Sequence, residues 1–168
     1  GARPEAGTPR GEHHLGKGRV IWNESFRTPP IAVGPGSPVK NARWIWHAEG
    51  SPAIAAPPGK RYFRRVVVLD PTREVVAAQL ALTADNGLEV WLNGERAGAG
   101  EDASKLFRFE VARWLKPGTN LLAVAAFNAH EEPNPAGLIG VLSVQFRDGG
   151  RLEVQTDAHW ESAVSGPE

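Results

Sequence analysis

Residues 83–94 read Thr-Ala-Asp85-Asn86-Gly87-Leu-Glu-Val-Trp91-Leu-Asn93-Gly94, which sets a carboxylate beside an amide where an apolar run ends. Carboxylate, amide and carbonyl oxygens suit a hard cation, and Ca2+ takes six to eight of them at about 2.3–2.6 Å. Such a cation, like the amides themselves, suits sugar hydroxyls. Asp85-Asn86-Gly87 is also an ordinary turn, with Asp and Asn capping their own backbone and Gly supplying a positive φ. Both readings stand at this point. Trp91 shares the polar face of its segment with Glu89 and Asn93, opposite Leu88, Val90 and Leu92. An indole there is a platform for the C–H face of a sugar ring. Asn93-Gly94 is a type I′ hairpin signal.

The second oxygen-rich stretch follows Asn128: Ala-His130-Glu131-Glu132-Pro133-Asn134-Pro135. It lacks the paired histidines of a helical zinc site, so His130 and Glu131 read as solvated loop charges, with Glu132 available to a cation. His13-His14 sits in a polar stretch and reads as inert. A glycosidase needs two carboxyls about 5–10 Å apart across a cleft. Asp85 with Glu132 is a conceivable pair, but a small β-domain hosts such a cleft poorly. No nucleophile elbow, phosphate loop or dinucleotide fingerprint is present, so the chain is expected not to be an enzyme.

The elements that must position these residues are short and β-rich. Arg61–Leu69, Val75–Ala84, Leu88–Asn93, Phe107–Val111, Leu121–Phe127, Leu138–Phe146 and Arg151–Gln155 read as strands, with Trp44–Trp46 opening the series. Leu121–Phe127 is continuously apolar, which predicts a central strand buried on both sides. Trp44, Trp46 and Trp160 read as packing where first and last strands meet, and Trp114 as a plug beneath a loop. If successive strands alternate in direction, the exits at Asp85 and Asn128 share one end, where long polar loops usually carry binding. The fold class is all-β: an antiparallel β-sandwich of jelly-roll type with an irregular N-terminal segment. Residues 1–39 read as a linker or the remnant of a preceding domain, 40–164 as the sandwich and 165–168 as a tail. Within the first part Arg19–Trp22 reads as one short strand, and Thr28–Pro38 as extended linker.

Composition sets the outer bounds. The 168 residues balance 19 Lys+Arg against 19 Asp+Glu, which implies no charge-driven attraction to nucleic acid or to an anionic membrane. There is no cysteine, hence no disulfide, thiol nucleophile or thiolate metal site. No run approaches the roughly 18 apolar residues of a membrane helix. Methionine is absent even at position 1, so the chain is expected to be a piece of a longer protein.

Trp44-Ile-Trp46, Tyr62-Phe63-Arg64-Arg65, Thr83-Ala-Asp85-Asn86, Trp91-Leu-Asn93-Gly94, Leu115-Lys-Pro-Gly118-Thr-Asn120 and Thr156-Asp157-Ala-His-Trp160 occur in this order. Together they resemble the non-catalytic, galactose-binding-domain-like β-sandwich of bacterial α-L-rhamnosidases and related glycoside hydrolases. The likeness runs from about Ala42 to Ala163. Some members of that group are calcium-dependent L-rhamnose-binding modules. The resemblance implies a Ca2+ held by Asp85, Asn86, Asn128 and the carbonyl of Pro133. Sugar contacts would come from Asp85, Asn86, Asn128, Trp91, Glu132 and Asn134. Relatives often carry an aromatic residue where this chain reads Gly100-Glu101-Asp102-Ala103-Ser104, a departure that bears on sugar identity. Gly16–Trp22 also looks like a strand in the body of some large glycoside hydrolases.

The resemblance therefore implies a carbohydrate-binding module of a polysaccharide-degrading enzyme, monomeric, with a glycan and a parent catalytic domain as partners. It implies secreted, periplasmic or cell-surface placement. A structural sandwich bracing a catalytic domain is the alternative, and a protein-binding adhesion module is a third.

Overall fold

Alternating apolar residues drive short segments into strands, and the faces they create close on each other. A computed structural model describes residues 18–22, 31 and 34–166. Among these residues eleven strands form: β1 (Gly18–Trp22), β2 (Ile45–His47), β3 (Gly59–Leu69), β4 (Val75–Asp85), β5 (Gly87–Leu92), β6 (Glu95–Gly100), β7 (Phe107–Glu110), β8 (Gly118–Asn128), β9 (Gly137–Phe146), β10 (Arg151–Gln155) and β11 (Glu161–Ala163). One helical turn, α1 (Pro52–Ala55), and a 3-10 turn at Ala112–Trp114 interrupt them.

The strands build an antiparallel β-sandwich. One sheet runs β6-β5-β8-β3-β11; the other runs β2-β9-β4-β7, with β10 also paired to β9. β1 belongs to both sheets. Gly18 and Arg19 pair with β11, whereas Val20, Ile21 and Trp22 pair with β2. These five residues fall in the stretch expected to be linker, and their pairing stitches them into the sandwich. His13-His14 and Thr28-Pro29-Pro30 lie outside the described residues.

The core forms between the sheets. Leu88, Val90 and Leu92 of β5 and Leu122, Val124 and Ala126 of β8 meet Leu80, Leu82 and Ala84 of β4 and Leu138, Leu142 and Val144 of β9. Trp46 and Trp160 are buried with them, and the Trp46 and Phe63 rings lie 5.6 Å apart. Trp114 packs against this core from its margin.

The outer faces differ. Ile31, Val39 and Trp44 cover Ala81, Ile139 and Val141 on the outside of the second sheet. Val39 is fully buried, so the Pro- and Gly-rich approach to it packs through that residue while turning at Gly34, Ser37 and Val39. Among the described residues the outside of the first sheet has no such cover: Val66, Val68 and Leu121 are 53%, 67% and 41% exposed. This corrects the expectation for Leu121–Phe127. β8 is central and its inner residues are buried, but Leu121 meets solvent and Ala123 is half-buried.

Two local choices fix the frame. Asn93 and Gly94 take φ of 54° and 86°, the type I′ pattern, and the Asn93 amide donates to the Trp114 carbonyl and the Asn120 side chain at 2.8 Å. On β6, Gly98 and Gly100 lie beneath Phe109 and Phe107, so close that a Cβ would fall 2.1 and 2.3 Å from ring carbons. Glycine there lets the β7 phenyl rings seal one side of the sandwich.

Candidate functional site

Register brings five strand ends together. Asp85 closes β4 opposite Gly137, Gly87 opens β5 opposite Phe127, and Asn128 closes β8 opposite Gly59. The Asn86 backbone N–H donates to the Phe127 carbonyl at 2.5 Å. Asp85 and Asn128 therefore exit at the same end of the molecule, as strand alternation predicts.

Asn128 is 1% exposed. Its Nδ2 donates to the carbonyls of Ala56 at 3.0 Å, Pro57 at 3.3 Å and Asn134 at 3.5 Å. Three carbonyls around the nitrogen fix which way the amide points. Its Oδ1 is buried and accepts no hydrogen bond. A buried acceptor without a donor costs about 1–3 kcal/mol, and a cation removes that cost. Asp85 is the nearby charge. Burial pushes its carboxyl above the usual aspartate range, and the neighbouring His130 offsets only part of that.

Asn86 works differently. Its Oδ1 accepts from the Ala129 N–H at 2.9 Å and its Nδ2 lies 3.4 Å from His130 Nε2. It clips the start of the 129–136 loop to the β4–β5 corner and keeps one lone pair on Oδ1. Pro133 and Glu132 are exposed in that loop. Asn134 is half-buried: its backbone exchanges hydrogen bonds with Ala56 (2.8 and 3.2 Å), and its side chain turns back onto the Glu132 carbonyl at 3.0 Å. Trp91 does not join this group. It lies four residues, roughly 13 Å, along β5 from Gly87 and faces outward with Glu89.

Other residues hold the site, and no local pattern marks them. Arg61 is buried and grips Glu49 through two bonds of 2.6 and 2.8 Å; Trp46 Nε1 adds a third at 3.2 Å. This pair anchors the 47–58 connection that presents the Ala56 and Pro57 carbonyls. His130, read as a solvated charge, sits within electrostatic reach of Asp85. The 101–105 turn reaches the same end, where the Ala103 carbonyl lies 3.4 Å from Thr83 Oγ1. There Asp102 takes bonds from Lys105, the Ser104 hydroxyl and the Ser104 N–H, which hold its carboxyl down at about 2.

The oxygens that could serve a cation at this end are one carboxylate, amide oxygens and loop carbonyls. Among the described residues no three His, Asp or Glu side chains gather as a metal cluster. With low ligand charge, the arrangement fits a weakly held hard cation rather than a transition metal.

No protein-family model matches the chain. An alpha-L-rhamnosidase from Streptomyces avermitilis is 31% identical over 156 residues, which cover 89% of this chain and 15% of the relative. The structure of the Streptomyces avermitilis alpha-L-rhamnosidase complexed with L-rhamnose superposes with a TM-score of 0.70 at 29% identity, over 90% of this chain and 14% of that one. A lectin from Pleurotus ostreatus in complex with GalNAc superposes at 0.66 and 28% identity, over 72% of this chain and 35% of the lectin. The chain thus spans about one seventh of the enzyme it matches, and in sequence and in fold it is homologous to a β-sandwich segment of alpha-L-rhamnosidases.

Proposed function

We propose that this sandwich is a non-catalytic carbohydrate-binding module serving a polysaccharide-degrading enzyme, and that it binds L-rhamnose or a related sugar with the help of Ca2+. One observation carries the reading: the buried Asn128 Oδ1 has no hydrogen-bond donor and lies at the strand end shared with the half-buried Asp85. Asp85 and Asn128 would hold the ion, with loop carbonyls such as that of Pro133 completing the protein's share. When bound, calcium supplies a coordination point for neighbouring sugar hydroxyls. Asn86 holds the 129–136 loop in place, and Glu132 and Asn134 lie where they can reach a ligand's rim. Affinity for the ion belongs in the weak class of extracellular modules, about 0.1–1 mM. A parent enzyme gains by linkage, which raises the local concentration of its substrate.

The likeness to an enzyme complexed with L-rhamnose and to a lectin complexed with GalNAc supports sugar binding. Kinship with a bacterial rhamnosidase favours a secreted or periplasmic setting. The test is thermal unfolding in EDTA, in calcium, and in calcium with L-rhamnose or a small sugar panel. A rise with calcium and a further rise with one sugar are expected. No shift in any condition overturns the reading.

A second reading rests on the uncovered stripe of Val66, Val68 and Leu121. A sandwich that only braces a catalytic domain would bury that stripe against it. In isolation it would self-associate and ignore calcium.

A further inference from the structure

The outer face of the first sheet carries a groove of about 510 Å3 that the loop-end site does not use. Its floor is made by Ala123 and Ala125 of β8. Register sets its walls: Ala123 lies between Trp91 of β5 and Arg64 of β3, and Ala125 between Glu89 of β5 and Tyr62 of β3. The two aromatic residues therefore face each other diagonally, roughly 12 Å apart at the backbone across two strand spacings and one pleat repeat. The charged residues occupy the other diagonal. At one end Lys60 lies 4.4 Å from the Phe127 ring centre and 3.8 Å from Glu89. On the Tyr62 side Gly166 presses against that ring, where a Cβ would meet a ring carbon at 2.8 Å.

We infer that this groove is a second, metal-independent binding site for a pyranose chain. The volume falls within the range of ligand pockets, about 300–1,000 Å3. Small residues on the floor leave depth, and two half-buried rings present flat apolar surfaces to sugar C–H faces. Glu89, Arg64 and Lys60 line the groove, Glu89 paired with Lys60 and Arg96 and Arg64 with Glu161 at 2.6 Å, and charged groups make the stronger hydrogen bonds to hydroxyls. The same charges argue against a protein partner. A docked domain would bury them at the centre of its interface, where charged residues are depleted and desolvation is costly. Sugar hydroxyls leave them hydrogen-bonded.

The test is calorimetric titration of the chain, in EDTA throughout, with xylohexaose, cellohexaose and a rhamnogalacturonan-derived oligosaccharide. Because EDTA silences the calcium reading, the two proposals fail independently. At least one oligosaccharide is expected to bind, with affinity lowered tenfold or more in Trp91→Ala. Ala123→Leu keeps both rings but fills the floor, and should weaken binding to the same degree; melting curves check that both variants fold. No binding in EDTA, binding that survives both substitutions, or a Trp91-dependent dimer in place of sugar binding each overturns the proposal.

Discussion

Asp85 carries a charge that its surroundings oppose. Burial raises its pKa in the folded chain above the usual aspartate value near 3.8, so the folded state binds the proton more readily than the unfolded state does. The stability this adds is fully present below the ordinary carboxylate range and is lost as pH rises through the raised value. Near neutral pH, without metal, the ionised carboxylate is therefore a burden on the fold. Asp85→Asn should raise the melting temperature in EDTA at pH 7, flatten its pH dependence between pH 4 and 7, and abolish any calcium-induced rise. Melting curves across that range, with and without calcium, check all three. A variant that melts below the parent chain in EDTA at pH 7 would show that desolvation is not what dominates at this position. Calcium affinity in the parent chain should also weaken on acidification, since proton and metal compete for one carboxylate.

Strands were the legible part of the sequence, because alternation and turn residues are local signals. Arg151–Gln155 is β10 as read, Val75–Ala84 extends by one residue in β4, and the Asn93-Gly94 turn takes its expected form. Three features escaped because their causes are distant in the chain. β11 has only three residues, and its partners β1 and β3 are remote. Val39 is buried only because Ile139 and Val141 face outward from β9. The amide of Asn128 is oriented by Ala56 and Pro57, two residues that carry no chemical signature. Trp91 was correctly placed on a polar face, yet alternation alone could not show that this face looks away from the Asp85 end. Glycine spacing makes a prediction at the same scale. Gly98→Ala drives a methyl into the Phe109 ring and should cost about 1–3 kcal/mol, as overpacking does. Gly36→Ala enters open space and should be near neutral. Urea unfolding of the two variants makes the comparison.

Among the described residues, the second sheet is covered on its outer face and the first is open. The segment before β2 shields the second sheet through Ile31 and Val39, and β1 ties the sheets together. A chain beginning at residue 41 loses all of this. Losing the burial of Ile31 and Val39 alone removes about 3–6 kcal/mol. At this size that lowers the melting temperature by about 6–24 °C. A truncated chain that melts with the parent would show that the sandwich is complete without its first strand. The open side is where the groove lies, and sugar titration of the intact chain tests it.

The pairing of Gly18 with Ser162 has a further consequence, for synthesis. A ribosome makes the chain from its N-terminus, so β1 emerges long before the strand that completes its ladder. Until β11 has left the exit tunnel, Gly18 and Arg19 lack a partner and the edge of β3 stays open. The nascent chain can gather its local hairpins early, but the last closure joins its two most distant strands, a slow step for loop entropy. Through that interval exposed strand edges invite mispairing, so the sandwich is most vulnerable between the emergence of β3 and that of β11.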